Sequence, residues 1–329
     1  MSRIAVLGAG AWGTALAISL ARRGGHSVVL WSFLPELAAE MKETGVNSLF
    51  LPGYVVPADV LVTADLAEAV KAAGIVLCVT PSEHLRGVVG QIAPHLTSKQ
   101  IVVSAAKGLE KSSLLRMSQV IASVTANPFG VLSGPSFAAE VAAGTPTAIV
   151  AAGTPAVSQA IQRAFSSPTL RIYTNEDVTG VELGGALKNV IALAAGVVHG
   201  LDLGYNPAAA LITRGIAEIT RLAVACGGRR QTLAGLSGMG DLVLTCTGSL
   251  SRNRMVGIEL GKGRKLAEIL EGMNGKVAEG VLSTAAALGL AARYGVEMPI
   301  TEQMDAILHR GKSPKVAIHE LMTRPGKDE

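Results

Sequence analysis

Aromatic residues are scarce in this 329-residue chain, at 3%, and charged residues make up only 16%. So little charge beside 49% hydrophobic residues excludes a disordered chain, which needs low hydrophobicity and high charge. Basic runs are missing as well. The formal net charge is +4, and no Lys/Arg run is longer than the pair at Arg229-Arg230. A nucleic-acid binder presents a basic stripe, often with aromatics beside it, and neither is present. The three cysteines, Cys78, Cys226 and Cys246, lie far apart and form no Cys-x-x-Cys or Cys/His cluster. That excludes a disulfide scaffold and structural zinc, and it points to a reducing compartment. His26 and His84 lie near predicted loops, and His95, His199, His309 and His319 are read as having no carboxylate or cysteine at metal-ligand spacing, so no metal is expected. No Gly-x-Ser-x-Gly elbow occurs, and Ser136 after Pro135 has no local His/Asp set, so acyl transfer has no support. Internal repeats, low-complexity tracts and linkers are absent.

One uncharged stretch, Ile4 to Ala21, lies between Arg3 and Arg22-Arg23 in the manner of a signal peptide. Gly8, Gly10 and Gly13 interrupt it where a turn is expected between a strand and a helix. The chain is therefore expected to be soluble and cytoplasmic, with no membrane insertion.

Glycine is abundant, at 38 residues, and the apolar content is mostly Ala, Val, Leu and Ile, which suits close helix–strand packing. The length favours two domains. Short, β-branched, continuously apolar runs at Ile4–Leu7, Val28–Trp31, Ile75–Thr80, Ile101–Ser104, Phe129–Ser133 and Thr147–Ala151 read as strands buried on both faces. Helical stretches lie between them, at Trp12–Arg23, Asp65–Ala73 and Ser112–Val124. The rhythm changes near Val178. Pro207–Cys226, Lys265–Glu271, Thr284–Tyr294 and Thr301–Leu308 read as helices, and no convincing strand follows Tyr173. The expected fold is α/β, with a Rossmann-type, doubly wound, mostly parallel sheet over residues 1–180 and an all-helical domain over residues 181–329.

Gly8-Ala9-Gly10-Ala11-Trp12-Gly13 fits G-x-G-x-x-G in the context that gives the pattern meaning, after a strand and opening a helix. The first glycine allows the tight turn, the second lets backbone approach a pyrophosphate, and the third lets helix and strand pack closely. Amides at the helix N-terminus then face the phosphates. The end of the second strand should carry an acid for NAD or a base for NADP. It carries Ser32, Phe33 and Leu34, and Glu36 comes late, after Pro35. The cofactor is NAD(P)H, with its 2′-position undecided.

A nicotinamide dinucleotide transfers hydride, and if the acceptor is a ketone its oxygen also needs a proton. Lys188 sits in an Ala/Leu/Val-rich helical stretch, where a lysine is costly unless paired or exposed. In a cleft, desolvation and a neighbouring Lys107 would ease release of its proton, as a general acid requires, while Asp241 would oppose that release and orient the ammonium. For a substrate that carries a phosphate, Arg252 would be the best candidate ligand, because a guanidinium can bind phosphate bidentately, and Ser251 and Asn253 could add neutral hydrogen bonds. The plainer alternatives are an exposed helix lysine, a solvated arginine, a turn lysine at Lys107, and a helix cap at Asp241.

With the glycine turn, four patches complete a pattern. They are Ala106-Lys107-Gly108-Leu109-Glu110, Gly134-Pro135-Ser136-Phe137-Ala138, Gly185-Ala186-Leu187-Lys188-Asn189, and the run from Gly238-Met239-Gly240-Asp241 through Thr245-Cys246-Thr247 to Ser251-Arg252-Asn253-Arg254. Together with Asn47 through Leu51-Pro52-Gly53 and Ala209 through Gly215, the chain closely resembles the NAD(P)-dependent glycerol-3-phosphate dehydrogenase family from Ile4 to beyond Glu279. The resemblance implies interconversion of dihydroxyacetone phosphate and sn-glycerol 3-phosphate, a supply for glycerophospholipid synthesis, and a homodimer. It places Gly8, Gly10, Ala11, Trp12, Gly13, Lys107 and Ala138 at the cofactor, Phe33 and Phe50 on its adenosine side, and Arg252, Val277 and Glu279 as contacts from the second domain. It places Lys107, Gly134, Ser136, Lys188, Asn189, Asp241, Ser251, Arg252 and Asn253 around the substrate, with Lys188 transferring the proton. The family often has His or Arg at Phe33 and Tyr at Phe50, and Phe33 cannot pair with a 2′-phosphate. Two other readings share the glycine turn. A two-domain dehydrogenase for a carboxylate substrate, such as a 3-hydroxy acid, explains Ser251-Arg252-Asn253 less well, and a non-catalytic nicotinamide sensor would not need Lys107, Lys188 and Asp241 together.

Overall fold

The structure is a computed structural model and describes residues 2–273, 278–326 and 328. By contacts the chain divides into one unit of residues 1–110 and 115–182 and another of residues 111–114 and 183–329. The first unit holds strands β1 (Ser2–Leu7), β2 (His26–Trp31), β3 (Val46–Asn47), β4 (Leu51–Val55), β5 (Val60–Thr63), β6 (Ala73–Cys78), β7 (Ile101–Ser104), β8 (Phe129–Ser133), β9 (Thr147–Gly153) and β10 (Leu170–Asn175). Between them run helices α1 (Ala11–Arg23), α2 (Pro35–Thr44), α3 (Leu66–Val70), α4 (Leu85–Ile92), α5 (Met117–Val124), α6 (Ala138–Ala143) and α7 (Pro155–Phe165).

Eight strands form one sheet in the order β10-β9-β8-β7-β6-β1-β2-β5. Every neighbouring pair in it is parallel except β8 with β9. The doubly wound, mostly parallel sheet expected from the sequence is therefore present. Its strands read as continuous apolar runs because both faces are covered. In β1, Ile4 and Val6 join the core that packs on α1 and α7, while Ala5 and Leu7 join the one that packs on α4 and α5. All four are 0% exposed. The chain leaves β1 toward β2 on one side and returns to β6 on the other, so strand order reverses between β1 and β6. In open parallel sheets that reversal opens a crevice beyond the strands' carboxyl ends, where ligands bind.

Arg22 and Arg23, which gave the N-terminal stretch its signal-like flank, have a structural use. Arg22 Nη2 donates to the Ala142 carbonyl at the end of α6 (2.7 Å), and Arg23 Nε donates to the Ser166 carbonyl just after α7 (2.8 Å). A cation at a helix C-terminus satisfies orphan carbonyls and complements the dipole.

The second unit is helical among its described residues. It comprises α8 (Val178–Gly200), which begins in the first unit, then α9 (Tyr205–Ala225), α10 (Arg230–Leu233), α11 (Asp241–Thr247), α12 (Arg252–Gly261), α13 (Leu266–Glu271), α14 (Glu279–Tyr294), α15 (Pro299–Arg310) and α16 (Pro314–Met322). α8 is long and apolar enough to cross a membrane by length and composition, with mean hydropathy 1.5, yet its apolar window is wholly buried within the protein.

Several elements differ from the sequence reading. The helix expected over Ser112–Val124 starts only at Met117. Leu114 has φ +61°, and residues 111–114 belong to the second unit. The Leu109↔Arg116 bridge and the Glu110 N–H to Leu115 carbonyl bond (2.9 Å) close the base of this excursion. The helix expected over Asp65–Ala73 shrinks to Leu66–Val70, because Asp65 caps it and Ala72 takes φ +56° to enter β6. α14 starts at Glu279, five residues before the expected Thr284. Strands β5 and β10 and the β3–β4 hairpin were not foreseen as strands.

Candidate active site

The glycine turn stands at the carboxyl end of β1, at the strand-order reversal. The Gly8 N–H donates to the Trp31 carbonyl of β2 (3.1 Å), and the Val79 N–H donates to the Leu7 carbonyl (2.8 Å). Each glycine is required for a separate reason. Gly8 has φ +124°, and a Cβ there would lie 2.9 Å from the Val79 carbonyl oxygen. A Cβ on Gly13 would fall 1.9 Å from the Gly8 carbonyl oxygen, so only glycine lets α1 lie this close to the turn. A Cβ on Gly10 would meet nothing within 4 Å. Packing does not explain that glycine, whereas a ligand lying against the backbone does. First-turn amides of a helix also lack intrahelical acceptors. The turn therefore fits a dinucleotide pyrophosphate on its own geometry, with Ala11, Trp12 and Gly13 in the first turn of α1.

Phe33, just beyond β2, is 78% exposed and meets Trp31 edge-on at 6.3 Å. It offers an aromatic face and no charge. The hydroxyl of Ser32 is engaged with the Leu34 backbone, donating to its carbonyl (2.9 Å). Phe50 follows β3 and packs, half-buried, on the core beneath α1.

Lys107, Gly134 and Ser136 come together at the carboxyl ends of β7 and β8. Lys107 Nζ donates to the Gly134 carbonyl (2.9 Å), and Ser136 Oγ donates to the same oxygen (3.0 Å). Gly134 has φ +140°, and a Cβ there would lie 2.9 Å from Ile149 Cα. Ala138 opens α6.

In the second unit the fold begins with glycine contacts. Gly196 and Gly200 of α8 face Gly257 and Gly261 of α12. A Cβ on Gly257 would lie 2.0 Å from the Leu193 carbonyl oxygen, and one on Gly196 would lie 2.1 Å from the Arg254 carbonyl oxygen. Two helices this close have no side chains between them at the crossing. The contact sets the start of α12 beside Asn189 of α8. Asn253 Nδ2 donates to Asn189 Oδ1 (3.0 Å), and Asn253 Oδ1 accepts from the Gly280 N–H (2.9 Å). Asn253 thereby ties the start of α14, including half-buried Glu279, to α8. Ser251 Oγ caps α12 by accepting from the Arg254 N–H (3.2 Å). Arg252, in the first turn of α12, is exposed. Val277 lies outside the described residues.

Lys188 is 6% exposed and Asp241 is 0% exposed. Their ammonium and carboxylate form a short contact, and Lys188 Nζ also donates to Thr245 Oγ1 (2.9 Å). The Thr245 hydroxyl spends its own hydrogen on the Asp241 carbonyl (2.6 Å), so it can only accept from the lysine. Asp241 and Thr245 share a face of α11 because they are four residues apart. Neither an exposed helix lysine nor a capping Asp241 describes this arrangement. Sequence reasoning quoted Thr245 within a motif and assigned it no role. The available signal was its i+4 spacing from Asp241.

Burial pushes the Cys246 thiol up to about 12, despite the opposing pull of Lys188 and Arg254, and burial alone does the same to Cys78. A thiolate nucleophile does not form at such values.

Residues 3–158 match the description "NAD-dependent glycerol-3-phosphate dehydrogenase N-terminus", and residues 177–319 match the corresponding C-terminus. A glycerol-3-phosphate dehydrogenase [NAD(P)+] of Koribacter versatilis is 60% identical over 334 residues, covering 100% of this chain and 99% of that protein. The crystal structure of a glycerol-3-phosphate dehydrogenase from Coxiella burnetii superposes with a TM-score of 0.94 at 40% identity, over 98% of this chain and 99% of the other. A ketopantoate reductase from Ralstonia eutropha reaches only 0.59 at 17% identity, over 96% and 100% of the two chains, and so shares the fold alone. The chain belongs to the NAD-dependent glycerol-3-phosphate dehydrogenase family.

Proposed function

We propose that this protein reduces dihydroxyacetone phosphate to sn-glycerol 3-phosphate with Lys188 as the proton donor. The observation that carries the assignment is the buried Lys188 ammonium held between Asp241 and Thr245. NAD(P)H supplies the hydride. The chain supplies a proton for the carbonyl oxygen and holds the substrate still. A buried ammonium fixed by a carboxylate and a hydroxyl presents its proton in one direction, and positioning of this kind accelerates proton transfer. Asp241 keeps the ammonium in place and offsets the cost of burying it.

Arg252 takes the phosphate, since its exposed guanidinium at the start of α12 can bind bidentately. The helix N-terminus adds favourable charge there. Ser251 and Asn253 act chiefly by fixing that helix start, because each is already engaged in a bond that holds it. Lys107 and Ser136, gathered on the Gly134 carbonyl, are assigned to the substrate from the first unit. Phe33 and Phe50 are assigned to the adenosine, with Ala138, Arg252, Val277 and Glu279 as the remaining cofactor contacts. We place the enzyme in the cytoplasm as a homodimer supplying glycerophospholipid synthesis. The support is the family resemblance, and three cysteines without Cys-x-x-Cys spacing fit a reducing compartment. Sedimentation analysis checks the dimer.

The test separates proton transfer from binding. Lys188→Ala is expected to lower kcat by on the order of 10²–10⁴ with KM for dihydroxyacetone phosphate within a few-fold. Arg252→Ala is expected to raise that KM and to cost about 1.5–3 kcal/mol in kcat/KM. With dihydroxyacetone, which lacks the phosphate, Arg252→Ala should matter far less. Equal impairment on both substrates would move the phosphate site away from Arg252. A near-normal kcat in Lys188→Ala, with chemistry limiting, would move the proton donor, first to Lys107.

A further inference from the structure

We infer that Asn47 is a positioning residue for the dinucleotide, because its buried amide holds the Gly8–Gly13 turn, the first turns of α1 and the Phe50 backbone together. The inference rests on the turn being the pyrophosphate site. Asn47 lies in the short strand β3 and is 0% exposed. Nδ2 donates to the Ala9 carbonyl (2.8 Å) and to Thr14 Oγ1 (2.8 Å), and Oδ1 accepts from the Phe50 N–H (3.0 Å). Both amide hydrogens and the carbonyl oxygen are thereby used on three separate pieces of backbone and side chain.

The bond to Ala9 has a directional consequence. In a planar trans peptide, the carbonyl oxygen of one residue and the N–H of the next point to opposite sides. By drawing the Ala9 carbonyl toward itself, Asn47 turns the Gly10 N–H the other way. Gly10 is the residue whose Cβ position opens onto empty space. The Phe50 bond fixes the backbone of the aromatic residue assigned to the adenosine side. One side chain thus sets the phosphate-facing peptide and the adenosine-facing segment in register. Other side chains cannot substitute. Aspartate has no donors for Ala9, leucine has the volume but no polar atoms, and glutamine places its amide one methylene too far.

The experiment uses the full-length enzyme and measures KM for NADH and NADPH, inhibition by ADP-ribose, KM for dihydroxyacetone phosphate at saturating cofactor, and thermal stability. ADP-ribose carries only the adenosine and pyrophosphate half, which is the half Asn47 orders. In Asn47→Asp and Asn47→Leu, the cofactor KM and the ADP-ribose inhibition constant should rise in parallel, by about tenfold or more. KM for dihydroxyacetone phosphate should stay within about twofold, since uniform cofactor binding is what is lost. Thr14→Val, which removes one of the three partners, should shift the same two constants about threefold. A purely structural Asn47 would lower thermal stability and leave the ADP-ribose constant of the folded variants unchanged, which would overturn the inference. If neither Asn47 variant folds, an unchanged ADP-ribose constant in Thr14→Val overturns it. Wild-type enzyme that turns over with NAD(P)H while the variants keep normal constants would refute the role of Asn47 alone. Wild-type enzyme that ADP-ribose does not inhibit would refute the pyrophosphate reading beneath it.

Discussion

The two units build their candidate site residues by different means. In the first, chemistry is presented by turns at the carboxyl ends of strands, and backbone carries much of it: Gly8, Gly10, Gly13 and Gly134 matter through their lack of a side chain. In the second, chemistry is presented by helix faces, and buried polar side chains carry it: Lys188 with Asp241 and Thr245, and Asn189 with Asn253. Glycine appears in both for different reasons. Gly10 opens onto empty space, whereas Gly257 leaves room for another helix. Gly10 and Gly257 thus share a residue type whose missing side chain serves an open backbone in one case and helix packing in the other.

The sharpest way to break this comparison is to add one methyl group in each unit. Gly257→Ala would drive a Cβ to within 2.0 Å of the Leu193 carbonyl, and Gly13→Ala would place one 1.9 Å from the Gly8 carbonyl. Neither contact can be relieved by a rotamer change, so each should cost about 3 kcal/mol or more in stability, read by denaturant unfolding. Gly10→Ala adds the same methyl where nothing stands within 4 Å. It should leave stability within about 0.5 kcal/mol, since φ is −70° and alanine accepts it. It should raise the cofactor KM at least about tenfold, a loss of about 1.4 kcal/mol in binding. A Gly10→Ala protein that binds NAD(P)H normally, or a Gly257→Ala protein as stable as wild type, would dissolve the distinction between the two uses of glycine.

Cofactor choice sharpens it. Wild type should use both cofactors, with a preference below about a hundredfold, because Phe33, the residue proposed for the adenosine side, is exposed and offers neither an acid nor a base. Phe33→Arg should shift relative kcat/KM toward NADPH by about 1.5–3 kcal/mol. Strict use of either cofactor by wild type, above about a thousandfold, would show that another residue reads that position.

The smallest expected effect tests a buried carboxylate that serves packing alone. Glu218 of α9 is 0% exposed and accepts from the Ile300 and Thr301 N–H groups (2.9 and 3.0 Å) and from Thr301 Oγ1 (2.7 Å), capping α15 from a neighbouring helix. Burial raises its proton affinity above the usual carboxylate range, against the pull of these bonds. The folded protein then binds this proton more tightly than the unfolded chain does. That contribution to stability is complete in acid and is lost as pH rises through the raised folded-state value. Glu218→Gln abolishes the slope, so its stability deficit relative to wild type should be greatest in acid and should narrow as pH rises. Equal deficits at all pH values would mean that folding leaves the proton affinity of Glu218 unchanged.

Much of this was legible early because it is local. The G-x-G-x-x-G spacing, the apolar strands and the helical rhythm of the second half depend on residues a few positions apart, and the physics that fixes them acts over that distance. β7 and β8 begin and end where the apolar runs do. Elsewhere local pattern misled. Ser112–Val124 has helical composition, yet the chain detours at 111–114 to pack in the other unit, and nothing within thirteen residues records that partner. β5 was passed over because a four-residue edge strand carries too few alternations to stand out.

What the sequence alone determined, then, is the class of the fold, the glycine turn after the first strand and the family, each written in short-range spacing or in motifs that keep their order along the chain. Tertiary structure decided which residues meet. Lys188 and Asp241 are 53 positions apart, Asn47 and Ala9 38, and Asn253 and Asn189 64. An amide or a carboxylate has the same sequence signature whether it faces water or another side chain. Only folding removes the water and makes one partner obligatory, because a buried polar group left unpaired is too costly to keep.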